Sequence, residues 1–172
     1  IDIKNDIEKG NIKFPLVQKL RKGGYDGRGV AVLNEPEDLN KLLNGASVIE
    51  EKIEIAKEIS VIVARNKKGE IKCFPVVEML FDPKANLVDK LICPSSITAK
   101  QAEKAVNYAS EIIELLNMEG LLAVEFFIDS KGEVIVNEIA PRPHNSGHHT
   151  IESIITSQFE QHLRAILNLP LG

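Results

Sequence analysis

Residues 121–139 read Leu121-Leu122-Ala123-Val124-Glu125-Phe126-Phe127-Ile128, then Asp129-Ser130-Lys131-Gly132 and Glu133, then Val134-Ile135-Val136-Asn137-Glu138-Ile139. Two runs rich in β-branched and aromatic residues, joined by a short polar turn ending in glycine, predict an antiparallel hairpin. Each run carries one glutamate among apolar neighbours. An even loop sets Glu125 and Glu138 on one face of the hairpin, and an odd loop splits them unless a bulge intervenes. Like charges facing each other on a ladder cost about 0.2–1 kcal/mol. Keeping both on one face makes sense if a hard cation sits between them. Magnesium takes a few carboxylate oxygens and fills its shell with phosphate oxygens and water. A solvated pair at a sheet edge is the alternative, and the apolar surroundings of Glu125 argue against it.

Downstream, Ala140-Pro141-Arg142-Pro143-His144-Asn145-Ser146-Gly147-His148 follows Glu138 almost directly, at the mouth of any such metal site. Arg142 offers a planar clamp for an anion. His144 and Asn145 offer donors to a carbonate-sized ligand, and the prolines stiffen the loop. Zinc held by His144, His148 and His149 is disfavoured, because no HExxH helix sets their spacing. A helical pattern from about Ile151 to Leu167 closes the chain.

Upstream, Thr98-Ala99-Lys100-Gln101 forms a capping box. It opens a long helix with an apolar stripe of Ala102, Ala105, Val106, Ala109, Ile112, Ile113 and Leu116. Strands are expected at Phe14–Leu20, Val30–Leu33, Ser47–Glu51, Glu58–Ala64, Ile71–Met79 and Leu87–Cys93. Asn34-Glu35-Pro36-Glu37 reads as the start of a further helix that Gly45 ends. Mostly antiparallel strands with helices laid on them make the fold class α+β.

Between the first two strands lies Gly23-Gly24-Tyr25-Asp26-Gly27-Arg28-Gly29. Glycine lets backbone amides approach phosphate oxygens and adopt positive φ. The stretch is neither a Walker loop nor a dinucleotide fingerprint, since a strand follows it rather than a helix. It reads as a flap over phosphates or as an ordinary hairpin loop. Lys19, just before it, is a point cation within reach of a phosphate, or one residue of a solvated strand face. Glu50-Glu51-Lys52-Ile53 followed by Glu58 fits a segment that meets a purine edge and a ribose. By spacing alone it equally fits a charged edge strand.

The chain has 172 residues and a formal charge of -4, enough for a real core and without a basic field to recruit nucleic acid. Cys73 and Cys93 are isolated, which makes neither a disulfide framework nor a zinc site and fits reduced, cytoplasmic thiols. No apolar run is long enough to span a bilayer, and the first residues are no signal peptide. A start on Ile1 rather than methionine reads as a piece of something longer.

Together these stretches resemble the ATP-grasp superfamily from about Phe14 to Gly172. Phe14 to Gly29 is similar to the glycine flap of the 5-(carboxyamino)imidazole ribonucleotide synthetase family, and so is Glu58 to Arg65. The most specific match is Asn137 to His148, and Thr156–Arg164 and Leu169–Gly172 also look like that family. The resemblance implies an ATP-grasp fold of two α+β lobes enclosing a nucleotide cleft. The small lobe would span about 1–49, the hinge about 50–53 and the large lobe about 54–172.

It further implies a cytoplasmic carbon–nitrogen ligase of purine biosynthesis, using ATP and Mg2+ to carboxylate 5-aminoimidazole ribonucleotide with bicarbonate. On that resemblance Lys19 holds ATP phosphates under the flap of Gly23, Gly24, Gly27 and Gly29. Glu50, Glu51 and Ile53 meet adenine and Glu58 the ribose. Glu125 and Glu138 bind magnesium with help from Asn137. Tyr25, Asp26, Arg142, His144 and Asn145 face the ribonucleotide and bicarbonate.

Family members carry a Rossmann-like domain before this segment and a small domain after it, and are often homodimers. The isolated piece is therefore expected to bind nucleotide weakly and turn over little. Two other readings remain: another ATP-grasp ligase, such as a formate-dependent glycinamide ribonucleotide transformylase, and a non-catalytic nucleotide-binding module.

Overall fold

The computed structural model describes residues 3–24, 28–82 and 87–172. They fall into two compact units, one within residues 1–54 and the other built on residues 55–82 and 88–172.

The first unit opens with a helix that the sequence pattern did not predict, α1 (Ile3–Glu8). Strands β1 (Leu16–Leu20), β2 (Val30–Leu33) and β3 (Ser47–Glu51) follow, forming an antiparallel sheet in the order β2-β1-β3. Strict alternation divides its two faces. Leu16, Ala31 and Leu33 are buried against Ile7, Phe14, Leu39, Leu42 and Leu43. On the other face Lys19 lies opposite Val30 and Val48, and Val17 opposite Val32 and Glu50. Val30, Val32 and Val48 are exposed there.

The helix expected after Asn34 is instead a 3-10 turn over Pro36–Lys41 with Glu35 as its cap. Its start is tied the other way round: the Asn34 N–H donates to the Asp38 carboxylate at 2.8 Å. With the Asp38 carboxylate turned back on the start of the segment and no side-chain cap from Glu35, the helix ends after two tight turns.

The second unit is a six-stranded sheet carrying helices on both faces. Its strands are β4 (Ile55–Arg65), β5 (Ile71–Cys73), β6 (Val77–Asp82), β7 (Leu87–Ile92), β8 (Gly120–Asp129) and β9 (Val134–Ala140), with α2 (Ala99–Leu115) between β7 and β8. The order is β7-β6-β4-β8-β9, with β5 pairing β4 off that path. One strand was expected over Ile71–Met79, and two are found. Pro75 lacks an N–H for the ladder, and Phe74-Pro75-Val76 breaks the run between β5 and β6.

On one face of this sheet Ile59, Val61, Val63, Leu122, Val124, Phe126 and Ile128 meet Ala105, Ala109 and Ile113 of α2. The capping box holds: Thr98 accepts the Gln101 N–H, and Gln101 Oε1 accepts the Thr98 N–H at 3.0 Å. The closing helical pattern divides into α3 (Thr150–Ser153) and α4 (Gln158–Ile166). Ser157 separates them because its hydroxyl caps α4 by accepting the Glu160 N–H. On the sheet's second face Ile62, Ala64, Leu121, Ala123 and Ala140 pack with Ala165 of α4 and Leu171. That face carries the polar residues considered next.

Candidate functional site

Alternation along β4 and β8 sends Glu58, Ser60 and Glu125 to the same face as Ile62 and Ala123, because Ser60 pairs Glu125 and Ile62 pairs Ala123. On the other side of β8, Ile128, Phe127 and Phe126 pair Val134, Ile135 and Val136 in simple register. Glu125 then pairs Glu138, so Asn137 is an extra residue. The loop between Ile128 and Val134 is odd, and this bulge is what returns Glu138 to the face of Glu125. The result is a row Ser60–Glu125–Glu138 across three strands, with Asn137 beside it at the bulge.

Two carboxylates and an amide supply oxygen donors only, which suits a hard six-coordinate cation rather than zinc. Among the described residues no group of three or more His, Cys, Asp or Glu side chains is arranged to hold a metal ion. A cation at the bulge would therefore complete its shell with ligand oxygens and water.

Above the row sits His144. Its Nε2 lies 3.3 Å from Glu125 Oε1, and only about a tenth of its side chain is exposed. Burial lowers its pKa, helped by Arg142 and His148. Gln158, fully buried at the start of α4, holds the backbone on both sides of this ring. Its Oε1 accepts the His144 N–H at 2.9 Å, and its Nε2 donates to the His144 carbonyl at 2.9 Å. Thr150 fixes Gln158 in turn, accepting its N–H at 2.9 Å and donating to the Gly147 carbonyl at 2.6 Å. Arg142 and Asn145 are exposed on the same loop, Arg142 donating to the Pro143 carbonyl.

Glu58 stands one row along from Ser60 and Glu125, paired with Met79 and Phe127. Burial raises its pKa. A half-buried carboxylate beside apolar neighbours is costly unless a polar ligand group meets it.

In the first unit Lys19 and Glu50 form an ion pair of 2.7 Å on the exposed valine face. Such a partly exposed pair contributes about 0–1 kcal/mol, so a phosphate can take the lysine over at little cost. Gly23 and Gly29 both have φ near 75°, and Gly29 comes so close to Gly24 that a side chain would press on the Gly24 Cα. The Leu20 N–H donates to the Gly29 carbonyl at 2.8 Å, closing the base of the loop. Tyr25, Asp26 and Gly27 lie outside the described residues. Glu51 and Ile53 sit at and just beyond the end of β3.

Sequence reasoning missed Ser60, Ser146, Thr150, Gln158 and Gln18. Gln18 is fully buried behind Lys19, bonded to both the N–H and the carbonyl of Leu43 and to Ser47 Oγ. The available signal was parity: Ser60 is the one polar residue in the run Ile59 to Ala64 and shares a face with Glu58.

A family model described as the ATP-grasp domain matches residues 3–159. N5-carboxyaminoimidazole ribonucleotide synthase of Bacillus subtilis is 39% identical over the whole of this chain, which covers 46% of that protein. The chain thus spans about half the length of that curated relative. Among solved structures, N5-carboxyaminoimidazole ribonucleotide synthetase from Thermotoga maritima is 47% identical with a TM-score of 0.86. That match covers 99% of this chain and 43% of the other. The synthase from Aspergillus clavatus in complex with ADP and 5-aminoimidazole ribonucleotide is 30% identical with a TM-score of 0.84. It covers 98% of this chain and 44% of the other.

Proposed function

The chain belongs to the ATP-grasp family, and from that premise we propose that it is the nucleotide-binding core of an N5-carboxyaminoimidazole ribonucleotide synthetase. The reaction is ATP-dependent carboxylation of 5-aminoimidazole ribonucleotide by bicarbonate in purine biosynthesis. The observation that carries the proposal is the row Ser60–Glu125–Glu138, completed by the Asn137 bulge and overhung by His144.

In this reading a bicarbonate oxygen attacks the γ-phosphorus of ATP, ADP leaves, and carboxyphosphate forms. The substrate amine then attacks its carboxyl carbon, or the carbon dioxide it releases. Phosphate departs and the amine loses a proton. Magnesium, when bound, neutralises the phosphate oxygens as charge shifts to the leaving group. The residues of the chain align and screen. Glu125 and Glu138 hold the cation with Asn137. Lys19 leaves Glu50 for the phosphates, beneath the loop carrying Gly23, Gly24, Gly27 and Gly29. Glu50, Glu51 and Ile53 meet the purine edge, and the valine face around Lys19 suits a flat base. Glu58 accepts from the ribose hydroxyls, which answers the cost of its burial. Arg142, His144 and Asn145, with Tyr25 and Asp26, orient bicarbonate and the ribonucleotide. Phosphoryl transfer needs this alignment more than a covalent nucleophile.

The test is magnesium-dependent ADP release by the full-length protein, with bicarbonate present and 5-aminoimidazole ribonucleotide added or withheld. Stimulation by the ribonucleotide, lost at least a hundredfold in Glu138→Gln and weakened in His144→Ala, is expected. Formate dependence in place of bicarbonate dependence would move the protein to a formyl-transferring ATP-grasp ligase. No response to either acid would leave only the family.

A further inference from the structure

At the Nδ1 edge of His144 two buried hydroxyls stand in line. Ser146 Oγ lies 2.9 Å from His144 Nδ1, and Ser60 Oγ lies 2.8 Å from Ser146 Oγ. Both serines are about 1% exposed. The backbone N–H of Ser146 also points at Nδ1, at 3.3 Å. A backbone N–H can only donate, so Nδ1 offers its lone pair, and a ring that carries one proton holds it on Nε2. Every donor in the chain then points one way. Ser60 donates to Ser146 and Ser146 to His144 Nδ1, which leaves the Nε2 edge facing Glu125 Oε1 at 3.3 Å.

We propose that Ser60 and Ser146 are positioning residues that fix His144 as its Nε2–H tautomer, so that His144 presents a hydrogen-bond donor to the site and does not serve as a general base there. The geometry supports this beyond a single contact. Gln158 clamps the His144 main chain on both sides, which fixes the backbone from which the ring is presented to the hydroxyls. Hydrogen-bonded partners behind an active-site imidazole select its tautomer and orientation, and their loss costs about 10–100-fold in function at comparable sites. That the donor meets a reacting anion rests on the ligase reading above. The tautomer does not.

The experiment is long-range 1H–15N correlation of the imidazole nitrogens at pH 8 in the full-length protein, alongside kinetics of bicarbonate-dependent ADP release. In the wild type, Nε2 is expected to resonate as the protonated nitrogen and Nδ1 as the unprotonated acceptor. Ser146→Ala keeps the backbone N–H at Nδ1 and is expected to keep the Nε2–H tautomer, with kcat lowered about tenfold by the lost hydroxyl. Ser60→Ala should lower kcat about tenfold with the KM for ATP unchanged, and Ser60→Thr, which keeps the hydroxyl, should restore most of it. A wild-type ring protonated on Nδ1, or a Ser60→Ala enzyme with unchanged kcat, overturns the proposal. If Ser146→Ala does not fold, the wild-type spectrum and the Ser60→Ala and Ser60→Thr pair decide. An Nε2–H ring in a protein that never responds to bicarbonate would sink the ligase reading and leave the hydroxyl chain standing.

Discussion

Gly147 has no room for a methyl group, since a Cβ there would collide with Ile62 Cδ1 and with the Gln158 carboxamide. The clash falls on the residue that clamps His144, so one added carbon disturbs both packing and site. Gly147→Ala is expected to lower stability by about 1–3 kcal/mol, read as a fall in thermal midpoint. Activity should fall further than the loss of folded protein explains. Gln158→Leu tests the clamp itself. It leaves the buried N–H of His144 unpartnered, at about 1–3 kcal/mol, while the His144 carbonyl keeps the Gly147 N–H at 2.9 Å, and it should cost more stability than Gln161→Leu, whose hydrogen bonds run to the main chain of Gly172. At this scale the sequence was legible where residue type announces chemistry. Glu125, Glu138 and His144 stood out because carboxylates and imidazoles among apolar or proline-rich neighbours need a reason. Gln158 did not, because a glutamine in a polar helical stretch looks like a surface residue until a loop from fourteen residues earlier folds onto it.

Among the elements, α2 offers the simplest measurement, because its first turn rests on one reciprocal cap. Thr98→Ala removes the acceptor for the Gln101 N–H and is expected to cost about 1 kcal/mol, seen in chemical denaturation. Thr98→Ser should cost far less. Strands β4 and β6 are joined to the segment before α2 by a second device. Burial alone would raise the pKa of Glu78, but the Lys57 ammonium at 2.7 Å and the hydroxyl and N–H of Ser96 together hold it below its usual range. A carboxylate whose pKa is depressed by folding stabilises the fold above its unfolded pKa, and that stability fades as pH falls through the folded value. Glu78→Gln should therefore be less stable than wild type at pH 7, and the gap between their thermal midpoints should close on acidification toward pH 3. A gap that widens in acid would mean that the carboxylate is not favoured by folding. Elements with a strong local signal, such as the capping box and the β8–β9 hairpin, could be read directly. The Asn137 bulge could not, because loop parity alone leaves the glutamates on opposite faces and only the tertiary register decides. Pro75 and Ser157 did carry signals, a missing N–H and a cap, which were overridden by the longer apolar patterns around them.

Across the whole chain, apolar burial is distributed unequally between the two units. The second builds two clusters on one sheet, and β4 and β8 pair from Ile55–Asp129 to Arg65–Gly120 with neighbours on both sides. The first has three strands, one small buried cluster and one face on which Val30, Val32 and Val48 meet solvent. Local opening follows buried apolar contact, so amides of β4 and β8 should exchange slowest and those of β1–β3 at least tenfold faster, a difference of about 1.4 kcal/mol or more. Uniform protection would mean that the chain opens as one cooperative body. Nucleotide turns this into a functional measurement. A ligand at about one hundred times its Kd stabilises what it binds by about 2.7 kcal/mol. If Lys19 and the valine face meet ATP, then a non-hydrolysable ATP with magnesium should slow exchange in β1–β3 by up to about a hundredfold. Lys19→Ala should abolish most of that protection while leaving the pattern without ligand unchanged, because the Lys19–Glu50 pair contributes little to the fold. Protection confined to β8 and β9 would instead place the nucleotide's contacts on the carboxylate row alone and remove Lys19 from the site.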